Sequence, residues 1–158
     1  GAGWLEPRAR WLDLYAGTGS IGIEAASRGA GEAHFVELDP WCIQRCLRPN
    51  LEDARVADRA VVHQQRVEDF LARAEELARF AGGAFDFVSC CPPYKAVAYP
   101  ALMAQLARSP LLHAGSWLVV EYPFEDRASL PDRLDGAGRS LAKLVDRRFG
   151  RTYVALYG

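Results

Sequence analysis

No apolar run in the 158 residues approaches the length of a membrane span, and the chain does not open with the pattern of a signal peptide. Charge of one sign is not in excess either. The 19 Lys and Arg stand against 20 Asp and Glu, a formal net charge of -1, so the overall balance points to no particular partner. Cysteine is scarce and poorly spaced for a metal: Cys42 and Cys46 lie four apart, Cys90 and Cys91 are adjacent, and neither pair has C-x-x-C spacing. The four read as buried free thiols in a reducing, intracellular setting, with no metal. His34, His63 and His113 have no partners at ligand spacing and read as strand or loop residues. Internal repeats, low-complexity tracts and a second-domain boundary are also missing. What is present is one domain's length of chain, 50% hydrophobic, enough to bury a sizeable core.

Apolar runs and turn residues divide that chain into alternating strands and helices. Residues 1–10 read as a cut edge or linker, and 11–158 as the domain. Trp11 to Tyr15 forms a first strand, followed by a helix from Ile21 to Arg28. Ala33 to Leu38 is the second strand. Asp39 and Pro40 are a suitable cap and first residue for a helix to Leu51. Ala60 to His63 is a third strand. The next helix, Glu68 to Phe80, carries Phe70, Leu71, Leu77 and Phe80 on one face and should stop at Gly82-Gly83. Phe85 to Cys90, a helix from Tyr99 to Ala107, and Trp117 to Tyr122 continue the alternation. Leu141 to Arg147 and Thr152 to Tyr157 close the chain as a hairpin. This pattern predicts an α/β fold with a mostly parallel sheet and one antiparallel strand near the C-terminus.

The segment WLDLYAGTGSIG organises the rest. It reads as strand, glycine turn and helix. Residues without a Cβ permit a tight turn and let a ligand approach the backbone, while the helix start offers free N–H groups. Gly17, Gly19 and Gly22 satisfy G-x-G-x-x-G, which by itself does not separate a nicotinamide dinucleotide from S-adenosylmethionine. Glu37, ending the second strand, stands where an acid would bond ribose hydroxyls.

In a sheet of this kind ligands lie beyond the carboxyl ends of the strands. Tyr15 to Gly19, Glu37 and Cys91 to Tyr94 should therefore share one crevice. Pro92-Pro93 cannot continue a ladder, which leaves carbonyls free and the Tyr94 ring projecting. Such a loop suits an exocyclic amine on a nucleobase. Acceptors aimed at its N–H groups turn the nitrogen lone pair toward an electrophilic methyl, and a stacked ring maintains the aim.

WLDLYAGTGSIGIEAASRGA, HFVELD, FDFVSCCPPY and the closing RRFGRTYVALYG resemble the small-subunit ribosomal RNA guanine-N2 methyltransferases, of the bacterial type and its plastid relatives. The likeness runs from about Trp11 to Gly158. It implies a Rossmann-like class I methyltransferase fold with a seven-stranded sheet and S-adenosylmethionine as cofactor. Asp13, Tyr15, Ala16, Gly17, Thr18 and Gly19 would line its methionine end, with Glu37 on the ribose and Leu38 against the adenine. Cys91, Pro92, Pro93 and Tyr94 would form the catalytic loop around the target base. The substrate would be small-subunit ribosomal RNA or an assembling small subunit. The protein would be a monomer with no membrane or metal, in the chloroplast or alternatively the bacterial cytoplasm.

Three features depart from the family pattern. Cys91 stands where Asp or Asn is usual, and a thiol is a weak acceptor, so the sequence predicts reduced or retargeted activity. Arg66 stands where an acid or amide near the adenine is common, leaving that contact to backbone or to Glu68. The segment that in the family precedes the first strand, and helps cover the cofactor and bind RNA, reads as absent or cut away here, which would weaken both. Arg139, Lys143, Arg147, Arg148 and Arg151 cluster toward the carboxyl end as a strip that could follow phosphates. Two other readings stand beside methyl transfer: a non-catalytic RNA-binding or ribosome-assembly factor on the same fold, and a nicotinamide-dependent oxidoreductase.

Overall fold

A computed structural model describes residues 5–158; the expected N-terminal edge therefore lies, for residues 1–4, outside the described residues. Strand β1 (Arg10–Leu14) buries Leu12, Asp13 and Leu14 in succession, a pattern that needs cover on both faces and neighbours on both sides. It has them. β2 (Glu32–Glu37) and β4 (Phe85–Cys90) flank it in parallel, with Leu12 opposite His34 and Val88. With β3 (Ala60–Gln64), β5 (Leu112–Pro123), β6 (Arg133–Gly136), β7 (Arg139–Phe149) and β8 (Thr152–Tyr157), the sheet order is β3-β2-β1-β4-β5-β8-β7-β6.

The mostly parallel sheet is as the sequence predicts, but it has eight strands rather than seven. β8 runs antiparallel between β5 and β7, and the added edge strand β6 is also reversed. In β6 only Leu134 is buried, opposite Leu141, so a four-residue strand leaves almost no apolar signature.

Helices cover both faces. On one side Ala26 of α1 (Ser20–Ser27) joins Ile43, Leu47 and Leu51 over Phe35. On the other, Phe70 and Leu71 of α4 (Val67–Glu76) pack with Tyr99, Leu102, Met103 and Leu106 of α5 (Tyr99–Arg108). Each such side chain, fully buried, contributes about 1.5–3 kcal/mol.

The helix after β2 begins as expected: Asp39 accepts the Trp41 N–H at 2.9 Å, with Pro40 at the first position. It continues from α2 (Pro40–Cys42) through a π turn, Ile43–Leu47, into α3 (Arg48–Asp53). Pro49 explains the wide turn, because it has no N–H for the carbonyl of Arg45 and its ring crowds that carbonyl.

α4 ends at Glu76, not at Gly82-Gly83. Leu77 is extended and 45% exposed, so it leaves the face it was expected to share with Phe70. The loop that follows is held by a residue distant in sequence. The Arg10 guanidinium gathers the carbonyls of Ala81, Gly83 and Ala84, pairs with Glu32 at 2.8 Å and lies 4.2 Å over the Phe85 ring. Arg10 thus opens β1 and anchors the loop that precedes β4.

The parallel strands deliver the ends of β1, β2 and β4 to one edge of the sheet. Thr152 pairs with Pro123 at the end of β5, so the β7–β8 turn stands at that same edge.

Candidate active site

Beyond β1 the chain turns at Tyr15, whose φ of 57° is in the left-handed region. The Ala16 N–H then donates to the Val36 carbonyl at 3.0 Å, and the Gly17 N–H to Glu37 Oε1 at 2.9 Å. Glu37 Oε2 accepts the Asp39 N–H at 2.8 Å. One carboxylate therefore ties the glycine turn to the end of β2.

Above this junction lies a cavity of about 1020 Å³. Tyr15, Gly17, Glu37 and Leu38 form one part of its wall; Cys91, Pro92 and Pro93 form another. Two loops expected to share a crevice do share one. Arg66, Val67 and Glu68 add a third part. Glu68 accepts the Tyr15 hydroxyl at 3.2 Å and stands 3.6 Å from Arg66 Nε, so Arg66 is balanced by an acid beside it.

Other expected residues support the wall from behind. Asp13, 2% exposed, lies beneath the glycine turn and is not on the cavity wall. Its Oδ2 accepts the Gly22 N–H at 3.1 Å and its Oδ1 the Ser89 hydroxyl at 3.0 Å. Burial pushes its pKa up to about 7 despite both bonds, with Glu37 adding to the rise. Asp13 therefore fixes the start of α1 from behind the cavity wall. Gly19, with φ of 83°, is buried where a Cβ would meet Leu47 Cδ1 at 2.4 Å. Thr18 is exposed, and its carbonyl accepts from Asn50 at 2.9 Å. Ala16, Thr18 and Gly19 shape the turn without lining the cavity.

Tyr94 does not project freely. Its hydroxyl donates to Glu121 Oε1 at 2.7 Å and lies 2.6 Å from the Thr152 hydroxyl, which ties the loop to β5 and β8. Burial, then the Glu121 carboxylate, push the Cys91 thiol up to about 12, so it stays protonated. Glu121 escaped the sequence reading. Its signal was an acid within the apolar run Trp117 to Tyr122.

The basic strip divides. Arg139 is spent on the fold: its guanidinium donates to the carbonyls of Leu106, Ala107, Ser109, Leu112 and Leu134 at 2.7–3.3 Å. Lys143 donates to the Leu130 carbonyl and lies 3.5 Å from Asp132 and Asp146. Both are removed from the strip for that reason. Arg147, Arg148 and Arg151 are exposed around the β7–β8 turn.

His34 on β2 and His63 on β3 are strand residues, yet they meet at 2.8 Å across neighbouring strands. Burial lowers His63 to about 4, so the pair is neutral near pH 7. All four cysteines are free, but only Cys90 is fully buried.

The cavity fits S-adenosylmethionine on three observations. Gly17 faces open space where a Cβ would stand, so a ligand can reach its backbone. Glu37 keeps lone pairs beyond the two already used, enough for ribose hydroxyls. Leu38, an apolar side chain 55% exposed on the wall, gives a flat aromatic ring something to cover.

Parallel strands in the order 3-2-1-4-5, a reversed strand inserted beside the fifth, and a crevice between the β1 and β4 loops define the class: the Rossmann-like methyltransferases that use S-adenosylmethionine. Within that class the chain belongs to the family described as conserved hypothetical protein 95, whose model matches residues 4–158. Over 149 residues it is 32% identical to the Bacillus subtilis protein named "Putative rRNA methyltransferase YlbH", covering 94% of this chain and 74% of that one. It is 35% identical over 95 residues to the ribosomal RNA small subunit methyltransferase D of Haemophilus influenzae, covering 58% of this chain and 46% of that protein. An RNA methyltransferase from Salinibacter ruber, solved with S-adenosyl-L-homocysteine, superposes with a TM-score of 0.66 at 17% identity, over 98% of this chain and 83% of that one. That last likeness shows the fold alone.

Proposed function

We propose that this protein methylates ribosomal RNA, and that its target is the exocyclic N2 amine of a guanine in the small subunit. The observation that carries the reading is the shared cavity: the glycine turn with Glu37 forms one wall and Cys91-Pro92-Pro93 another. The relatives named for ribosomal RNA methylation support the choice of substrate.

Bound S-adenosylmethionine supplies an electrophilic methyl on a sulfonium sulfur. Gly17 admits the cofactor to the backbone, Glu37 accepts from the ribose hydroxyls, and Leu38 covers the adenine. Pro92 and Pro93 hold the second loop extended, and the Pro92 carbonyl accepts from the target amine. The Tyr94 ring, anchored by its hydroxyl, borders the incoming base. A stacked base cannot reach this cavity, so the nucleotide is turned out of its stack. Arg147, Arg148 and Arg151 stand at the same edge, together with Phe124 and Phe149, each 60% exposed. Exposed cations and rings suit phosphates and unstacked bases.

The test is to incubate the protein with S-adenosylmethionine and small subunits or their RNA, digest to nucleosides and identify the product by mass spectrometry. N2-methylguanosine supports the proposal. A methyl group on another atom, or in no RNA, overturns it.

A further inference from the structure

Three residues of the connection from β4 into α5 bond to a single residue of β5. Cys90 pairs with Val120 in the β4–β5 register, which puts Cys91 and Glu121 side by side at the strand ends. The Cys91 thiol keeps its proton and donates it to the Glu121 carboxylate. Tyr94 donates its hydroxyl to Glu121 Oε1 at 2.7 Å. A phenol has one proton to give, so the Thr152 hydroxyl, 2.6 Å away, is the donor to the Tyr94 oxygen. At the start of α5 the fully buried Tyr99 donates to the Glu121 backbone carbonyl at 3.0 Å. Glu121 is partly buried in a strand paired on both sides, so these donors meet a fixed frame. Between Cys91 and Tyr94 lie Pro92 and Pro93, whose locked φ carries the placement of each anchor along the chain. Cys91, Pro92 and Pro93 line the cavity, and Glu121 is not on its wall.

We infer that Glu121 is a positioning residue for methyl transfer: by holding Cys91, Tyr94 and Tyr99 it sets where the Pro92 carbonyl meets the target amine, and it makes position 91 a hydrogen-bond donor. The inference rests on the methyl-transfer reading above. Placement matters because an error of about 1 Å at the reacting atoms costs roughly 10²-fold in rate. The same contact gives Cys91 a reason. An Asp at that position would bring a second carboxylate against Glu121 in a partly buried place, where like charges repel. A thiol donates there without that conflict.

The experiment uses the whole protein with Glu121→Ala, Glu121→Gln, Cys91→Asp, or Cys91→Asp combined with Glu121→Gln. Methylation of RNA is measured at saturating S-adenosylmethionine, together with affinity for S-adenosylhomocysteine and the unfolding midpoint. A local readout is the rate of trypsin cleavage after Lys95, an exposed residue beside Tyr94. Glu121→Ala should lower kcat by roughly 10²-fold and speed cleavage at Lys95 about tenfold, with S-adenosylhomocysteine affinity within about threefold of wild type. Glu121→Gln keeps an acceptor for the Tyr94 hydroxyl and should bring kcat back to within about tenfold of wild type. Cys91→Asp should lower kcat about tenfold, and adding Glu121→Gln, whose amide N–H meets the new carboxylate, should raise it again. A merely structural Glu121 would move the midpoint without that reversal at position 91. If Glu121→Ala does not fold, the comparison of Cys91→Asp with the combined variant decides. Wild-type kcat in Glu121→Ala, a wild-type or higher kcat in Cys91→Asp, or unchanged cleavage at Lys95 overturns the inference. If the wild type methylates no RNA, the reading of function falls, and cleavage at Lys95 alone decides whether Glu121 holds the loop.

Discussion

Glu37 Oε1 accepts the backbone N–H of Gly17 at 2.9 Å, so the acid ending β2 sets the shape of the turn ending β1. The same carboxylate accepts from Asp39. Replacing Glu37 by Ala removes both ties and the acceptor proposed above for the ribose hydroxyls. Affinity for S-adenosylhomocysteine, measured by calorimetry, should fall about 10- to 100-fold. RNA affinity should stay within a factor of two or so.

Asp13 gives stability a pH dependence of definite sign. Its carboxyl is ordinarily at 3.8 and stands at about 7 in the fold, so between those values the native state binds a proton that the unfolded chain has lost. Its contribution is complete below about 4 and is lost as pH rises to about 7. The full swing is on the order of 4 kcal/mol. Asp13→Asn keeps an acceptor for Gly22 and a partner for Ser89. Urea unfolding at pH 4, 5.5 and 7.5 should show that the wild type declines relative to Asp13→Asn across that window; parallel profiles would contradict this.

The two kinds of arginine near the carboxyl end should separate experimentally. Reversing Arg148 and Arg151 to Glu should weaken RNA binding and lower its salt slope by about two, without moving the unfolding midpoint. Arg139→Ala strands carbonyls that its guanidinium now satisfies, and should cost roughly 2–4 kcal/mol of stability. Filter binding across a salt series and denaturant unfolding check the pair.

Gly22 packs directly on Phe35: a Cβ would come within 2.4 Å of the ring. Gly22→Ala should cost about 1–3 kcal/mol, and Phe35→Leu in the same chain should recover part of it. A double-mutant cycle in thermal unfolding measures the coupling.

Much of the architecture was readable because it follows from local chemistry. Runs such as HFVE mark buried strands, Asp39-Pro40 marks a helix start, and the double proline marks the end of β4. Long-range events were not readable. Nothing near Glu76 announces that Arg10 will anchor the carbonyls of Gly83 and Ala84 in the loop beyond it. The wide turn at Ile43–Leu47 did have a signal, Pro49, and β6 had one in the glycines at 136 and 138, which turn it into β7. That Tyr15, Gly17, Glu37 and the proline loop share one cavity wall was legible because strand ends on one edge of a parallel sheet meet there. The burial of Asp13 was not, because an acid bonding backbone beneath a turn and one on a cavity wall look alike in sequence. Arg139 and Arg151 are equally basic on the page; only packing tells which is free.

The most direct measurement is a crystal structure of the protein with S-adenosylhomocysteine. The account predicts the ribose at Glu37, the adenine over Leu38, and the sulfur between Gly17 and the Cys91–Pro92 backbone, facing the loop that ends at Tyr94. Density for the ligand elsewhere, or a sulfur turned away from Pro92, would contradict it.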